Sequence, residues 1–213
     1  MKKFYGKFKN DNIDILIGTQ MVIKGHHFPN VTLVGVIAAD GSLNIDDFRA
    51  NERTFQILTQ VAGRAGRENL PGKVIIQTYN TDNYSIEYAK KQDYDSFYKT
   101  EIEVRSHLNY PPFCDIIQIG ITSTNEEEIL NVSNRIYDYL DRQIKINKVD
   151  MQLFRPMPAP IDKIKNKIRW RIIIKCRFDE KIKNVMSKML NGFYNAKYKN
   201  TNVIVDINPN NMM

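Results

Sequence analysis

Cysteine is scarce in this chain: Cys114 and Cys176 are the two that occur, and neither belongs to a CxxC pair. That excludes a metal site built on sulfur within the chain. Each reads as a buried thiol in a strand, and a cytosolic, reducing compartment is expected. Long apolar runs are missing too; Val36-Ile37-Ala38-Ala39 is typical of the longest. Nothing approaches the roughly 20 residues that span a bilayer, so no membrane partner is expected. The start, Met1-Lys2-Lys3-Phe4-Tyr5-Gly6-Lys7, is basic with no apolar core behind it, which argues against a secretory signal. No GxxxxGK(S/T) string and no DEAH-like string occurs, so the chain has no phosphate-cradling loop of its own. Repeats and low-complexity segments are absent as well.

What is present has ordinary globular composition, 42% hydrophobic and 26% charged. The 213 residues suffice for one large or two small domains. The net charge of +7 is unevenly spread. Residues 1–110 carry 14 Lys and Arg against 13 Asp and Glu, and residues 111–213 carry 17 against 11. Within 155–199 the count is 13 against 3, a basic region whose natural partner is a polyanion.

Residues 13–18, 31–39 and 73–79 read as short strands with continuous apolar character, as in a parallel sheet covered on both faces. Helical stretches are expected at about 48–63 and 82–105. Pro111-Pro112 punctuates the chain, and the spacing predicts one domain over 1–109 and another over 110–213. Beyond it the pattern is strand 113–122, helix 125–144, a short strand near 151–155, a Pro-rich turn, strand 168–176, helix 179–195 and strand 202–207. That βαββαβ order is ferredoxin-like, an α+β sandwich with two helices on one face. The tail, residues 208–213, is expected to fray.

Three strings carry chemistry. Gln60-Val61-Ala62-Gly63-Arg64-Ala65-Gly66-Arg67 ends the first long helix. Arg64 and Arg67, three apart, share a face, and guanidinium groups so placed can fork onto phosphate oxygens. Glycine and arginine also suit a plain helix C-terminus. The second string, Gly18-Thr19-Gln20-Met21-Val22-Ile23-Lys24-Gly25-His26-His27-Phe28-Pro29, follows the first strand, where α/β sheets place ligand contacts. Thr19 and Lys24 are suitable phosphate partners, and Gly25 lets backbone come close. His26 and His27 are adjacent on a loop with no further ligand placed to join them, so no metal is expected. In the third string, Asp40 to Arg53, Asp46 or Asp47 by default caps the following helix.

Together these strings resemble superfamily 2 helicases, the second string as motif V and the first as motif VI. The run Asp47-Phe48-Arg49-Ala50, then Glu52-Arg53-Thr54-Phe55-Gln56, narrows the resemblance to the primosomal protein N′ family of bacterial replication-restart helicases. Tyr110-Pro111-Pro112-Phe113, Arg155-Pro156-Met157-Pro158-Ala159, Arg169-Trp170-Arg171 and Asp206-Ile207-Asn208-Pro209 extend it over residues 12–213.

The resemblance implies the second part of a RecA-like lobe 2, mostly parallel, followed by the ferredoxin-like C-terminal domain. It implies a motor that moves 3′ to 5′ on DNA, with ATP and Mg²⁺ clamped between two lobes. Here it assigns Arg67 as arginine finger, Arg64 as its partner and Gln60 as the residue orienting both. Thr19, Gln20, Lys24 and Gly25 would meet nucleotide and nucleic-acid backbone. A zinc-binding insertion belongs to the intact protein and is not expected in this chain. Single-stranded and forked DNA, single-strand-binding protein and other primosome proteins are the implied partners. The chain is expected to be a C-terminal piece, inactive alone. Lys163, Lys165, Lys167, Arg169 and Arg171 alternate along the chain, which puts the cations on one face of a strand or hairpin, and they are the candidate nucleic-acid contacts. Alternation puts Trp170 opposite Arg169 and Arg171, which favours a core role for it. A stand-alone nucleic-acid-binding or protein-docking module is the competing reading.

Overall fold

The computed structural model describes residues 13–19, 31–63, 65 and 72–212. It divides into two compact units, one reaching Ile45 and resuming over Arg49–Glu101, the other comprising Asp46–Phe48 and everything from Ile102 onward.

The first unit contains a two-stranded parallel sheet, β1 (Leu33–Val36) beside β2 (Lys73–Ile76), with Leu33 opposite Lys73 and Val36 opposite Ile76. Residues 13–18, expected as a strand, are exposed and irregular; among the described residues nothing pairs with them, and apolar character alone does not make a strand. A short helix α1 (Asp40–Leu43) follows β1, then α2 (Ala50–Ala62). Asp40 ties the two strand ends together. Its carboxylate accepts from Thr78 Oγ1 at 2.7 Å and from the amides of Tyr79 and Asn80 at 3.0 and 3.2 Å, bonds that hold its pKa below the usual value. The long helix expected over 82–105 is instead α3 (Tyr84–Lys91) and α4 (Tyr94–His107). The break has a local cause: Gln92 sits at φ 53°, a left-handed C-cap, and the Asp93 carboxylate accepts from Ser96 N to start the next helix. Phe55 and Leu58 of α2 pack with Ile86, Ala89 and Phe97, and the Phe55 and Phe97 rings stack at 4.2 Å.

The second unit is an antiparallel sheet of five strands: β3 (Asp115–Ser123), β4 (Met151–Leu153), β5 (Met157–Ile164), β6 (Lys167–Cys176) and β7 (Thr201–Ile207). The order is β4-β6-β3-β7, with β5 pairing along β6 on the same side as β4. Between strands run α5 (Glu126–Asn147) and α6 (Glu180–Asn195), capped by Asn125, which accepts from Glu128 N at 2.7 Å, and Asp179, which accepts from Ile182 N at 2.8 Å. Ile117, Ile119 and Ile121 of β3 and Ile172 and Ile174 of β6 form one face of the sheet. Both helices bury against it, through Ile129, Val132, Ile136 and Leu140 of α5 and Ile182, Met186 and Met189 of α6. Each such side chain contributes about 1.5–3 kcal/mol on burial.

The opposite face of the sheet is also covered. Cys114, Ile116, Ile173 and Met212 are buried there with Phe48, Tyr110 and Phe154 against them. The tail expected to fray is docked: Asn208 N donates to Ile116 O at 2.7 Å, its Oδ1 accepts from Ile116 N, and its Nδ2 reaches Asp115. The Pro-rich stretch expected as a turn is strand β5. Its prolines lie on a strand with a single partner, where a missing N–H costs no ladder bond.

Candidate functional site

Two places bear on function, and each grows from a simple local pattern. On α2, Thr54, Phe55, Leu58 and Val61 form the buried face, which leaves Gln60 exposed in the last turn. Gly63 closes the helix with its amide donating to Thr59 O at 3.1 Å. Its φ is −69°, and a Cβ there would make ordinary contacts, so the turn does not require glycine. Arg64, Gly66 and Arg67 lie outside the described residues, as do Gln20, Lys24 and Gly25. Thr19 is exposed at the end of the irregular 13–19 segment.

The second place is the hairpin of β5 and β6. Lys165 at φ 49° and Asn166 at φ 62° form its two-residue turn, and Ile164 pairs with Lys167 while Lys163 pairs with Ile168. Paired residues share a face, so the turn splits the cations expected on one face: Lys163 lies with Ile168 toward the helix-covered side, Lys167 on the other. Lys163, Lys165 and Lys167 are exposed. Arg169 is half-buried, and its Nη1 donates to Ile161 O at 3.1 Å. Ile161 and Ile164 are exposed apolar residues beside these cations.

Arg171 differs from the rest of the row. It is 4% exposed, donates through Nη1 to Met212 O at 2.6 Å and is ion-paired through Nη2 with Asp46. A guanidinium so enclosed has no face left for a phosphate, so the exposed cations are those nearer the hairpin tip. Lys175, at 7% exposure, is likewise internal. Its ammonium donates to Leu108 O at 2.7 Å and stands 3.5 Å from the centroid of the Tyr110 ring, and burial pulls its pKa down. Trp170 is half-buried against the helix-covered core, with Pro158 opposite it.

The acidic pair Asp46-Asp47 does not cap α2. The N-cap is Arg49, whose side chain makes no capping bond to the helix. Asp46 goes to Arg171, and Asp47, itself buried, accepts from Met212 N at 3.4 Å. Phe48 completes this strap by stacking on Tyr110 at 5.2 Å, with the Arg105 guanidinium 5.1 Å from the Phe48 ring centroid. No local signal distinguishes such a strap from a cap, because the partners of Asp46 and Asp47 lie 125 and 165 residues downstream.

Among the described residues no group of three His, Cys, Asp or Glu is placed to hold a metal ion. The two thiols are free and buried in different clusters, Cys114 with Ile116 and Cys176 with Ile174. These donors do not fit a zinc site. No helix is long and apolar enough to cross a membrane, among the residues described.

The second unit is thus a mixed α/β domain, an antiparallel sheet with two helices on one face and a strap and tail on the other, carrying an exposed basic hairpin. Residues 106–210 match the family of the Primosomal protein N C-terminal domain. The chain is also similar to proteins named Replication restart protein PriA. That of Bacillus subtilis is 38% identical over 213 residues, all of this chain and 26% of the relative. That of Rickettsia felis is 42% identical over 168 residues, covering 79% of this chain and 25% of the relative. That of Chlamydia muridarum is 39% identical over 204 residues, 95% of this chain and 26% of the relative. The chain therefore spans about a quarter of the length of the curated relatives it matches. Among solved structures, the designed protein Foldit4 covers 45% of this chain at a TM-score of 0.34 and 19% identity, too distant to bear on the fold.

Proposed function

We propose that the chain works as the C-terminal portion of a replication-restart DNA helicase, contributing arginines to ATP hydrolysis and cations to DNA binding. One observation carries this: the Gln60–Arg67 string, at the end of α2, occurs in the same chain as a Primosomal protein N C-terminal domain. The 38% identity to the Bacillus subtilis replication restart protein runs across both.

In this reading the first unit is part of a RecA-like lobe and the second is ferredoxin-like, which the strand order β4-β6-β3-β7 supports. Arg67 and Arg64 would hold the transferring phosphoryl group, and the chemistry of two guanidiniums fits phosphate oxygens. Gln60, exposed on a helix anchored by Leu58 and Val61, would orient them. Thr19, Gln20, Lys24 and Gly25 would lie along nucleotide and DNA backbone. ATP with Mg²⁺ supplies the free energy when bound, chiefly through residues outside this chain, and 3′ to 5′ movement is the proposed polarity. Lys163, Lys165, Lys167 and Arg169 would neutralise DNA phosphates. Single-strand-binding protein and other primosome proteins are the proposed protein partners.

An ATPase assay with forked DNA tests the reading. Residues 1–213 alone should show no turnover; robust hydrolysis would remove the need for a P-loop lobe and overturn it. A second reading, DNA binding by the second unit independent of any motor, is favoured by the exposed basic hairpin, and it predicts salt-sensitive binding of branched DNA by this chain without nucleotide.

A further inference from the structure

β7 (Thr201–Ile207) lies at one side of the five-stranded sheet, paired with β3; among the described residues no strand takes its other edge. Sheets ordinarily blunt such an edge with proline, lysine or a bulge. The opposite side of the sheet does so: β5 carries Pro158 and Pro160 and a register shift before Lys163. β7 has none of these devices. Its seven residues contain no proline and no lysine, and its register with β3 runs unbroken from Thr201 to Ile207.

The hydrogen bonds at its two ends fix which groups face outward. Thr124 N donates to Asn200 O, and Asn208 N donates to Ile116 O. Even-numbered residues therefore turn N–H and C=O toward β3, and strand alternation turns those of Val203, Val205 and Ile207 to the open edge. Ile204 is the anomaly on this strand. It is 60% exposed, and the residue opposite it on β3 is Gly120, which offers no side chain to pack on. Asn202 and Asp206, both exposed, flank it on the same face.

We propose that β7 is a self-association edge, pairing antiparallel with β7 of a second copy of this chain about a two-fold axis at Ile204. Self-complementarity selects that occupant. With Ile204 set opposite Ile204, the outward groups of Val203 meet those of Val205 in the other copy, and each residue exchanges both its N–H and its C=O. Ile204–Ile204 is then a non-hydrogen-bonded pair, the kind that brings side chains closest. Each isoleucine gains the apolar neighbour that Gly120 denies it. Asn202 falls opposite Asp206 on both sides of the axis, an amide donor against a carboxylate. Registers centred one residue either way would set Ile204 against Asn202 or Asp206, so the polar residues select the central one. The pairing is isologous and closes as a dimer. It leaves the β5–β6 hairpin, at the far side of the sheet, uncovered, and it is independent of the helicase reading.

The test is sedimentation equilibrium of this chain over a range of concentrations, with circular dichroism checking that each variant is folded. The weight-average mass is expected to rise toward twice that of one chain as concentration increases. Ile204→Lys sets two ammonium groups face to face at an exposed position and should leave the chain folded and monomeric. Val205→Pro should do the same, because it deletes an outward N–H and no bond to β3. Asn202→Asp opposes carboxylates on both sides of the axis and should weaken the dimer by about tenfold. Adding Asp206→Lys to Asn202→Asp places opposite charges there and should restore pairing. A wild-type chain that stays monomeric at every concentration would overturn the proposal. So would a dimer indifferent to Ile204→Lys and Val205→Pro, or one that the paired charge change fails to restore.

Discussion

Arg171 and Asp46, 125 positions apart in sequence, form an ion pair that fastens the strap of residues 46–48 to the sheet of the second unit. The same guanidinium donates to Met212 O, so one side chain secures both the strap and the C-terminal tail. Arg171 is buried and Asp46 is largely exposed, which makes the pair asymmetric. Removing the arginine leaves a void and an unpaired carbonyl, whereas removing the carboxylate leaves a buried cation short of one partner.

Arg171→Ala is therefore expected to lower the unfolding free energy by about 2–4 kcal/mol, and Asp46→Asn by about 1–2 kcal/mol. Urea denaturation followed by circular dichroism reads both. An Arg171→Ala chain as stable as the wild type would contradict the anchoring role.

The exposed cations predict a different signature. Replacing Lys163, Lys165 and Lys167 together by alanine should leave stability within about 0.5 kcal/mol. It should also reduce the slope of log K against log salt for forked DNA by roughly 2–3. An unchanged slope would move the DNA contact away from the hairpin.

A pH dependence follows from Cys176, whose thiol burial pushes up to about 11. An unfolded thiol titrates near pH ~8.5. Between these values the folded state keeps a proton that the unfolded state has released, so unfolding releases protons. The associated stability is complete below about pH 8.5 and is lost as the pH climbs toward 11, by roughly 3 kcal/mol. Comparing the wild type with Cys176→Ala over this range isolates the effect; parallel profiles would show that the thiol is not held protonated. Alkylation of the native chain at pH 8 should correspondingly proceed only as fast as the sheet opens.

The second unit was largely legible in the sequence, because α5 and α6 and most of β3 carry a regular period, while β6 carries a continuous apolar run, Ile172-Ile173-Ile174, covered on both faces. Ile117, Ile119 and Ile121 alternate, and Ile129, Val132, Ile136 and Leu140 recur at helical spacing. Features that depend on distant partners were not legible. Asp46 and Asp47 look like a helix cap until Arg171 and Met212 are beside them, and the docked tail depends on Asn208 finding Ile116. Alternation along Lys163–Arg171 suggested one cationic face, and the two-residue turn at Lys165-Asn166 broke that parity. For the site, Gln60 takes the exposed position that helical spacing implies. Its partners Arg64 and Arg67 rest on the motif alone.

The most direct test of the account lies at Arg67. In a protein that carries this chain behind a P-loop lobe, as the proposed function requires, Arg67→Ala should reduce DNA-stimulated ATP hydrolysis by about 10³-fold or more, as loss of an arginine finger does, while forked-DNA affinity stays close to that of the wild type. Hydrolysis at the wild-type rate in a variant that still binds DNA would contradict it.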